Sequence, residues 1–159
     1  MRNGGTVTSF LAGALGEPGQ RTFLLQLESA AGIETYLVEK AQVAALATEA
    51  NELLGEAGFS AVAGELAELR VPAVIEFRVG DMQLSYTVEA GTITLILESV
   101  DDAGAVSYVM SPAALAVAAR TGAAAVLAGR PLCPRCGLAM DPRGHHCPHG
   151  NGDLREHRP

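Results

Sequence analysis

Apolar side chains along the first forty residues come in short runs of strand length, broken by turn chemistry. The stretches TVTSFLAGAL (6–15) and RTFLLQLE (21–28) flank GEPGQ (16–20). Pro18 and Gly19 suit the two central positions of a type II turn, where glycine accepts a positive φ, so residues 6–28 are predicted to form a hairpin. IETYLVE (33–39) adds a third strand. The period then changes. Across residues 40–58, Val43, Leu46, Ala47, Ala50, Leu53 and Leu54 fall on one face at helical spacing, with Gly55 or Gly58 as the stop.

Residues 59–72 hold no clear period, and a short helix before Pro72 is the expectation there. AVIEFRVG (73–80) and MQLSYTVEA (82–90) are predicted as strands on either side of a tight Gly80-Asp81 turn. TITLILESV (92–100), rich in β-branched residues, and AVSYVM (105–110) complete the strands. Ser111 as N-cap and Pro112 at the first helical position open a second helix, which Ala and Leu carry to Ala128 before Gly129 stops it. The order is three strands and a helix, then three or four strands and a helix. The joints LVEKAQVAALA and VMSPAALAVAA align, so a duplicated strand-strand-strand-helix unit is expected. The fold class is α+β, with antiparallel sheet or sheets and two main helices, closed by a carboxyl-terminal zinc knuckle. The domain boundaries are 1–129 for the α+β domain, 130–152 for the knuckle and 153–159 for a flexible tail.

Composition alters this picture in one respect. With no Trp and seven Phe and Tyr in 159 residues, Ala, Val and Leu must fill the core. Charge is uneven: residues 1–129 carry six basic and fifteen acidic side chains, residues 130–159 five and three. So acidic a body opposes a phosphate-binding face, because nucleic-acid affinity comes from cations that displace counterions. No run reaches the roughly 18 apolar residues that span a bilayer. The stretch 6–16 imitates a signal peptide after Arg2, but Gly13 interrupts it and Thr6, Thr8 and Ser9 dilute it, so it is read as a strand. A cytoplasmic location is expected, in keeping with three cysteines that cannot all pair.

All three cysteines and all four histidines lie between Cys133 and His157. CPRCG is the form of a zinc knuckle, in which a tight turn brings two thiolates together and zinc takes four ligands in a tetrahedron. Cys147 supplies a third ligand. His145, His146 and His149 compete for the fourth place, with Asp141 a weaker candidate. His145 and Cys147 can face one way along an extended segment, so the predicted set is Cys133, Cys136, His145 and Cys147, with His149 as the rival. Four good ligands, three of them thiolates, make the zinc structural and leave no open position for water. Its task is to fold a segment too poor in apolar residues to hold itself. A thioredoxin-type redox pair lacks its strand-CxxC-helix context.

Other constellations are weaker. The turn formed by Gly16, Glu17, Gly19 and Gln20, with Arg21 opposite, offers a possible anion site without the lysine of a P-loop. Residues 1–129 contain no His or Cys, so Ser–His–Asp and Cys–His catalysis has no base there. The reading is a binding or adaptor protein with a structural zinc, more a module than an enzyme. The alternatives are an enzyme or accessory factor for a phosphorylated small molecule, built on Arg21, Glu39 and Arg78, and weak nucleic-acid binding by Arg130, Arg135 and Arg143.

AGALGEPGQRTFLLQLE, EKAQVAALA, EFRVGDMQL and AGRPLCPRCGLAMDPRGHHCPHGNG together resemble the actinobacterial family labelled domain of unknown function 3090. The family pattern Gly-His-x-Cys-Pro falls on Gly144, His145, Cys147 and Pro148, which favours His145 over His149. This chain departs from the pattern at His149, where arginine is expected, and at Asp153, where an aromatic is common. The resemblance brings no activity. It implies company: such proteins tend to be encoded beside a phosphoinositide-kinase-like protein and a histidine-phosphatase-like phosphomutase, which makes a kinase-like or phosphomutase-like protein partner the expectation. Hydropathy and charge add no membrane, and nucleic acid only as the weaker alternative.

Overall fold

A computed structural model describes residues 1–17, 19–60, 64–102, 104–128 and Cys136. Three strands, β1 (Arg2–Leu15), β2 (Thr22–Ser29) and β3 (Gly32–Val38), lead into helix α1 (Lys40–Glu56). Three more, β4 (Val79–Thr87), β5 (Thr92–Ser99) and β6 (Ala105–Met110), lead into α2 (Pro112–Ala128). The six strands form one sheet in the order β3-β2-β1-β6-β5-β4. Each three-strand meander is antiparallel, but β1 and β6 pair in parallel. The sheet is therefore mixed, where an antiparallel one was expected. The first and third strands of a meander run the same way, so two meanders set side by side in one orientation must meet through a parallel pair.

The halves match in register as well as in order. Val7 opposes Ser29 and Ser9 opposes Glu28, with a register shift between them; Val79 opposes Ser99 and Asp81 opposes Glu98, with the shift at the corresponding place. The second strands read FLLQLES (23–29) and ITLILES (93–99). Each ends in a serine that holds the turn behind it: Ser29 Oγ accepts the Ala31 N–H at 3.2 Å and Ser99 Oγ that of Asp101 at 3.4 Å. Both helices have 17 residues and begin two residues after the last residue of their strand.

One parallel junction implies a second. Thr6 of β1 pairs with Val109 of β6, and Leu37 of β3 bridges Arg78 in parallel just before β4. Leu37 N–H donates to Phe77 O at 3.0 Å and Glu76 N–H to Thr35 O at 2.8 Å. The sheet thus curls until its outer edges are tied at one end. Inside lie Phe10, Leu25, Leu27, Tyr36, Ile93, Leu95, Leu97, Tyr108 and Met110, all essentially buried. The helices pack on each other, and α2 also lies along β1. A Cβ at Gly122 would stand 3.1 Å from Val43 Cγ1 and 3.3 Å from Ala12 Cβ, so a glycine allows α2, α1 and β1 to meet.

Local chemistry explains most boundaries. Gln20 N–H donates to Glu17 O at 2.9 Å and Gly19 takes φ +89°, the turn expected between β1 and β2. Glu39 and Gln42 form a capping box at α1, and Ser111 Oγ accepts the Ala114 N–H at 3.2 Å at α2. Three expectations fail. The strand expected over residues 73–80 is not formed, because the apolar Val74 and Ile75 face outward instead of into the sheet. Residues 73–77 lie in no strand and hydrogen-bond to β3 through the Glu76 and Phe77 backbone, Arg78 makes an isolated bridge, and β4 begins at Val79. Residues 64–72 form neither helix nor strand but run as a strap over the outer face of β1 and β2. The Gly80-Asp81 turn does not exist; β4 runs straight through it. A Cβ on Gly80 would lie 3.1 Å from Val100 Cα, so this glycine permits close approach at a bulge, not reversal. Among the described residues no helix is long and apolar enough to cross a membrane.

Candidate functional site

Two features of the body concentrate polar chemistry or exposed apolar surface. The first lies where the two halves meet. Tyr36 and Tyr108 occupy the same place in their repeats, each two residues before the end of its strand. Both are fully buried, with ring centroids 6.2 Å apart edge-to-face, and their hydroxyls are hydrogen-bonded to each other. Tyr108 Oη donates to Glu34 Oε1 at 2.8 Å. Arg2 donates to both Glu34 oxygens, at 3.3 and 2.8 Å, and to Tyr36 Oη at 3.2 Å. Assigning each phenol its single proton closes a ring: Arg2 to Tyr36, Tyr36 to Tyr108, Tyr108 to Glu34, and Arg2 back to Glu34.

Burial raises the Tyr108 hydroxyl above the ordinary tyrosine range, and its bonds to Tyr36 and Glu34 raise it further. Burial likewise raises Tyr36, against the opposing effect of its bond to Tyr108. The Arg2 guanidinium is held still more firmly in its charged form by Glu34. Gly4 makes room for this arrangement, since a Cβ there would collide with the Tyr108 ring. Chemically the ring is closed on itself: each phenol proton has an acceptor, and among the described residues no buried side-chain nitrogen or oxygen lacks a partner.

The second feature is the strap. Gln26, buried in β2, grips the Arg70 backbone from both sides: Arg70 N–H donates to Oε1 at 2.9 Å and Nε2 donates to Arg70 O at 2.5 Å. Arg120 of α2 donates to Gly64 O at 2.5 Å, and Gly13 lets Leu69 pack closely over it, where a Cβ would lie 3.0 Å from Leu69 Cδ1. The continuation of the strap projects apolar side chains outward. Val71 is 85 % exposed, Val74 64 % and Ile75 41 %, beside Ile33 at 39 %. A cavity of about 410 Å³ opens between Val71, Val74, Ile33 and Thr35. A second, of about 310 Å³, lies between Leu11, Leu15, Leu66, Leu69 and the end of α2.

The residues singled out from the sequence are dispersed. Gly16, Glu17, Gly19 and Gln20 form the β1–β2 turn. Arg21 donates to Ala125 O at 2.8 Å in the last turn of α2, and its guanidinium lies 5.2 Å from the Phe23 ring centroid. Arg78 reaches Glu39 at 3.9 Å, an exposed pair. Of the zinc set, Cys136 is described and is half-buried, whereas Cys133, His145, His146, Cys147 and His149 lie outside the described residues, as do Arg130, Arg135 and Arg143. Among the described residues no three His, Cys, Asp or Glu side chains gather as metal ligands. Sequence reasoning missed Arg2, Glu34, Tyr36 and Tyr108. The available signal was a tyrosine at the same distance before each strand-helix joint, in TYLVEK and SYVMSP.

By architecture the protein is an α+β domain of two strand-strand-strand-helix halves curled around a tyrosine pair. The sequence profile of a family described as "Protein of unknown function (DUF3090)" matches residues 5–147, and the chain belongs to that family. No curated protein and no solved structure matches it.

Proposed function

We propose that the protein is a binding module whose recognition surface is the strap, with a structural zinc site in its carboxyl-terminal segment. The observation that carries this reading is the exposure of Val71, Val74 and Ile75 together on a segment that belongs to no strand or helix. Contiguous apolar surface is costly to leave in water, and on a soluble domain it marks contact with another protein. The strap is suited to that role because its own backbone is fixed in advance: Gln26, Arg120 and the Gly13–Leu69 contact hold it at three points, so little ordering cost remains for binding. The Arg2–Glu34–Tyr36–Tyr108 ring belongs to the scaffold. It spends its polar groups internally and leaves recognition to the surface.

The zinc reading rests on the sequence, on Cys133, Cys136 and Cys147 with His145 as fourth ligand. The partner reading rests on the family resemblance, which points to a kinase-like or a phosphomutase-like protein. One titration tests both. The purified full chain, its metal content measured on the same sample, is titrated calorimetrically into each purified candidate. One zinc per chain and saturable binding to one candidate are expected, with Val71→Asp/Val74→Asp weakening binding at least tenfold, since buried anchors are worth about 1–2 kcal/mol each. Binding that the double variant leaves unchanged contradicts the strap as the site; a metal-free chain contradicts the zinc.

A further inference from the structure

A different observation, the uneven protection of the two halves, carries a second conclusion. In the first half, the stretch of β1 that has parted from β6 is covered by α2, where Thr121 Oγ1 accepts the Ala12 N–H at 3.1 Å. The corresponding stretch of β4 has no such cover. On its side away from β5, α1 reaches only the start of the strand, where Gln42 Nε2 donates to Val79 O at 3.0 Å and Gly80 O at 3.3 Å. Among the described residues, no strand or helix pairs with 81–87 on that side. Met82, Leu84 and Tyr86, which pack inward, are only half-buried, whereas of their counterparts Phe10 and Ala12 are buried and Ala14 is half-buried. Sheet edges of this kind are commonly blunted by lysine or proline. The stretch DMQLSYT has neither.

We infer that this open edge of β4 pairs with the same edge of a second copy of the chain, antiparallel about a two-fold axis at Leu84. Self-pairing fits the residues. About Leu84, Met82 faces the partner's Tyr86, Gln83 faces the partner's Ser85, and Asp81 faces the partner's Thr87. A thioether meets an aromatic ring, an amide meets a hydroxyl, and no carboxylate meets another. Residues 82–87 are uncharged in a body otherwise strongly acidic, which removes at this edge the repulsion that would separate two copies elsewhere. The contact is isologous and closes on itself, so it yields a dimer and no filament.

Sedimentation equilibrium of the full chain over a range of concentrations tests this, with far-UV dichroism to confirm that each variant is folded. The wild-type chain is expected to dimerise. Gln83→Glu/Ser85→Glu places carboxylates opposite carboxylates twice across the axis and should weaken the dimer by roughly tenfold or more at low salt. Gln83→Glu/Ser85→Lys places each carboxylate opposite an ammonium and should restore it. A chain that stays monomeric, whether its edge is left open or takes up an added β-strand peptide, overturns the inference. So does a dimer indifferent to Gln83→Glu/Ser85→Glu, or one that Gln83→Glu/Ser85→Lys fails to restore.

Discussion

Tyr108 shows how closely a single residue is fixed here. Its ring lies against Gly4, its hydroxyl donates to Glu34, and it meets Tyr36 at the seam between the halves. Tyr108→Phe keeps the shape but leaves the Tyr36 hydroxyl without its acceptor and takes from Glu34 one of its donors, Arg2 remaining, at a cost of about 1–3 kcal/mol. The pH dependence has a definite sign. Both hydroxyls are raised above the ordinary value of about 10 in the folded chain, so above that pH the unfolded state has lost protons that the native state retains. Their contribution to stability is therefore fully present below pH 10 and is lost as pH rises beyond it. Denaturant midpoints measured from pH 8 to 11 should fall at the alkaline end for the wild-type chain, and fall less steeply for Tyr108→Phe. A wild-type midpoint that is flat through pH 11 contradicts the buried pair.

At the scale of elements, strands and helices were legible wherever local chemistry and tertiary need agreed. The helices at Lys40–Glu56 and Pro112–Ala128 and the strand Ala105–Met110 stand where periodicity and capping place them. Gly80 misleads because a glycine before an aspartate has the wording of a turn, whereas its role depends on Val100, twenty residues away. Residues 64–72 mislead for a similar reason. Leu66 and Leu69 have helical spacing, but what they pack against is the outer face of β1, and the segment is held extended by Gln26. Gln26 itself has the look of the polar member of an alternating strand. Gln26→Leu removes both hydrogen bonds to the Arg70 backbone and should release the strap without disturbing the sheet. Hydrogen exchange at 64–72 should accelerate by about tenfold or more, as expected for the loss of roughly 1–2 kcal/mol, while β2 and β5 amides keep their protection. Equal acceleration throughout would mean that the strap is an integral part of the core.

For the whole molecule, the internal repeat organises both the fold and the surfaces. Two matching halves account for the mixed sheet, for the tied edges and for the tyrosine pair at the seam. The repeat is faintly visible in the aligned joints LVEKAQVAALA and VMSPAALAVAA, but the parallel pairing of β1 with β6 depends on how the halves are set together, which no local pattern encodes. The halves differ in their outer coverings. Beyond α1 the chain crosses β1 and β2 as the strap, while the outer face of β4 and β5 carries Gln83, Ser85 and Thr94. The unlike surfaces break the symmetry of the scaffold, and the strap side is the one we propose for recognition.

That assignment is tested most directly by hydrogen exchange on the full chain, free and saturated with the candidate that binds it. The amides of residues 66–76 should gain protection on binding, while those of the β1–β2 turn and of α1 keep their free-state rates. Protection at residues 16–21 or along α1, with 66–76 exchanging as in the free chain, would contradict the account.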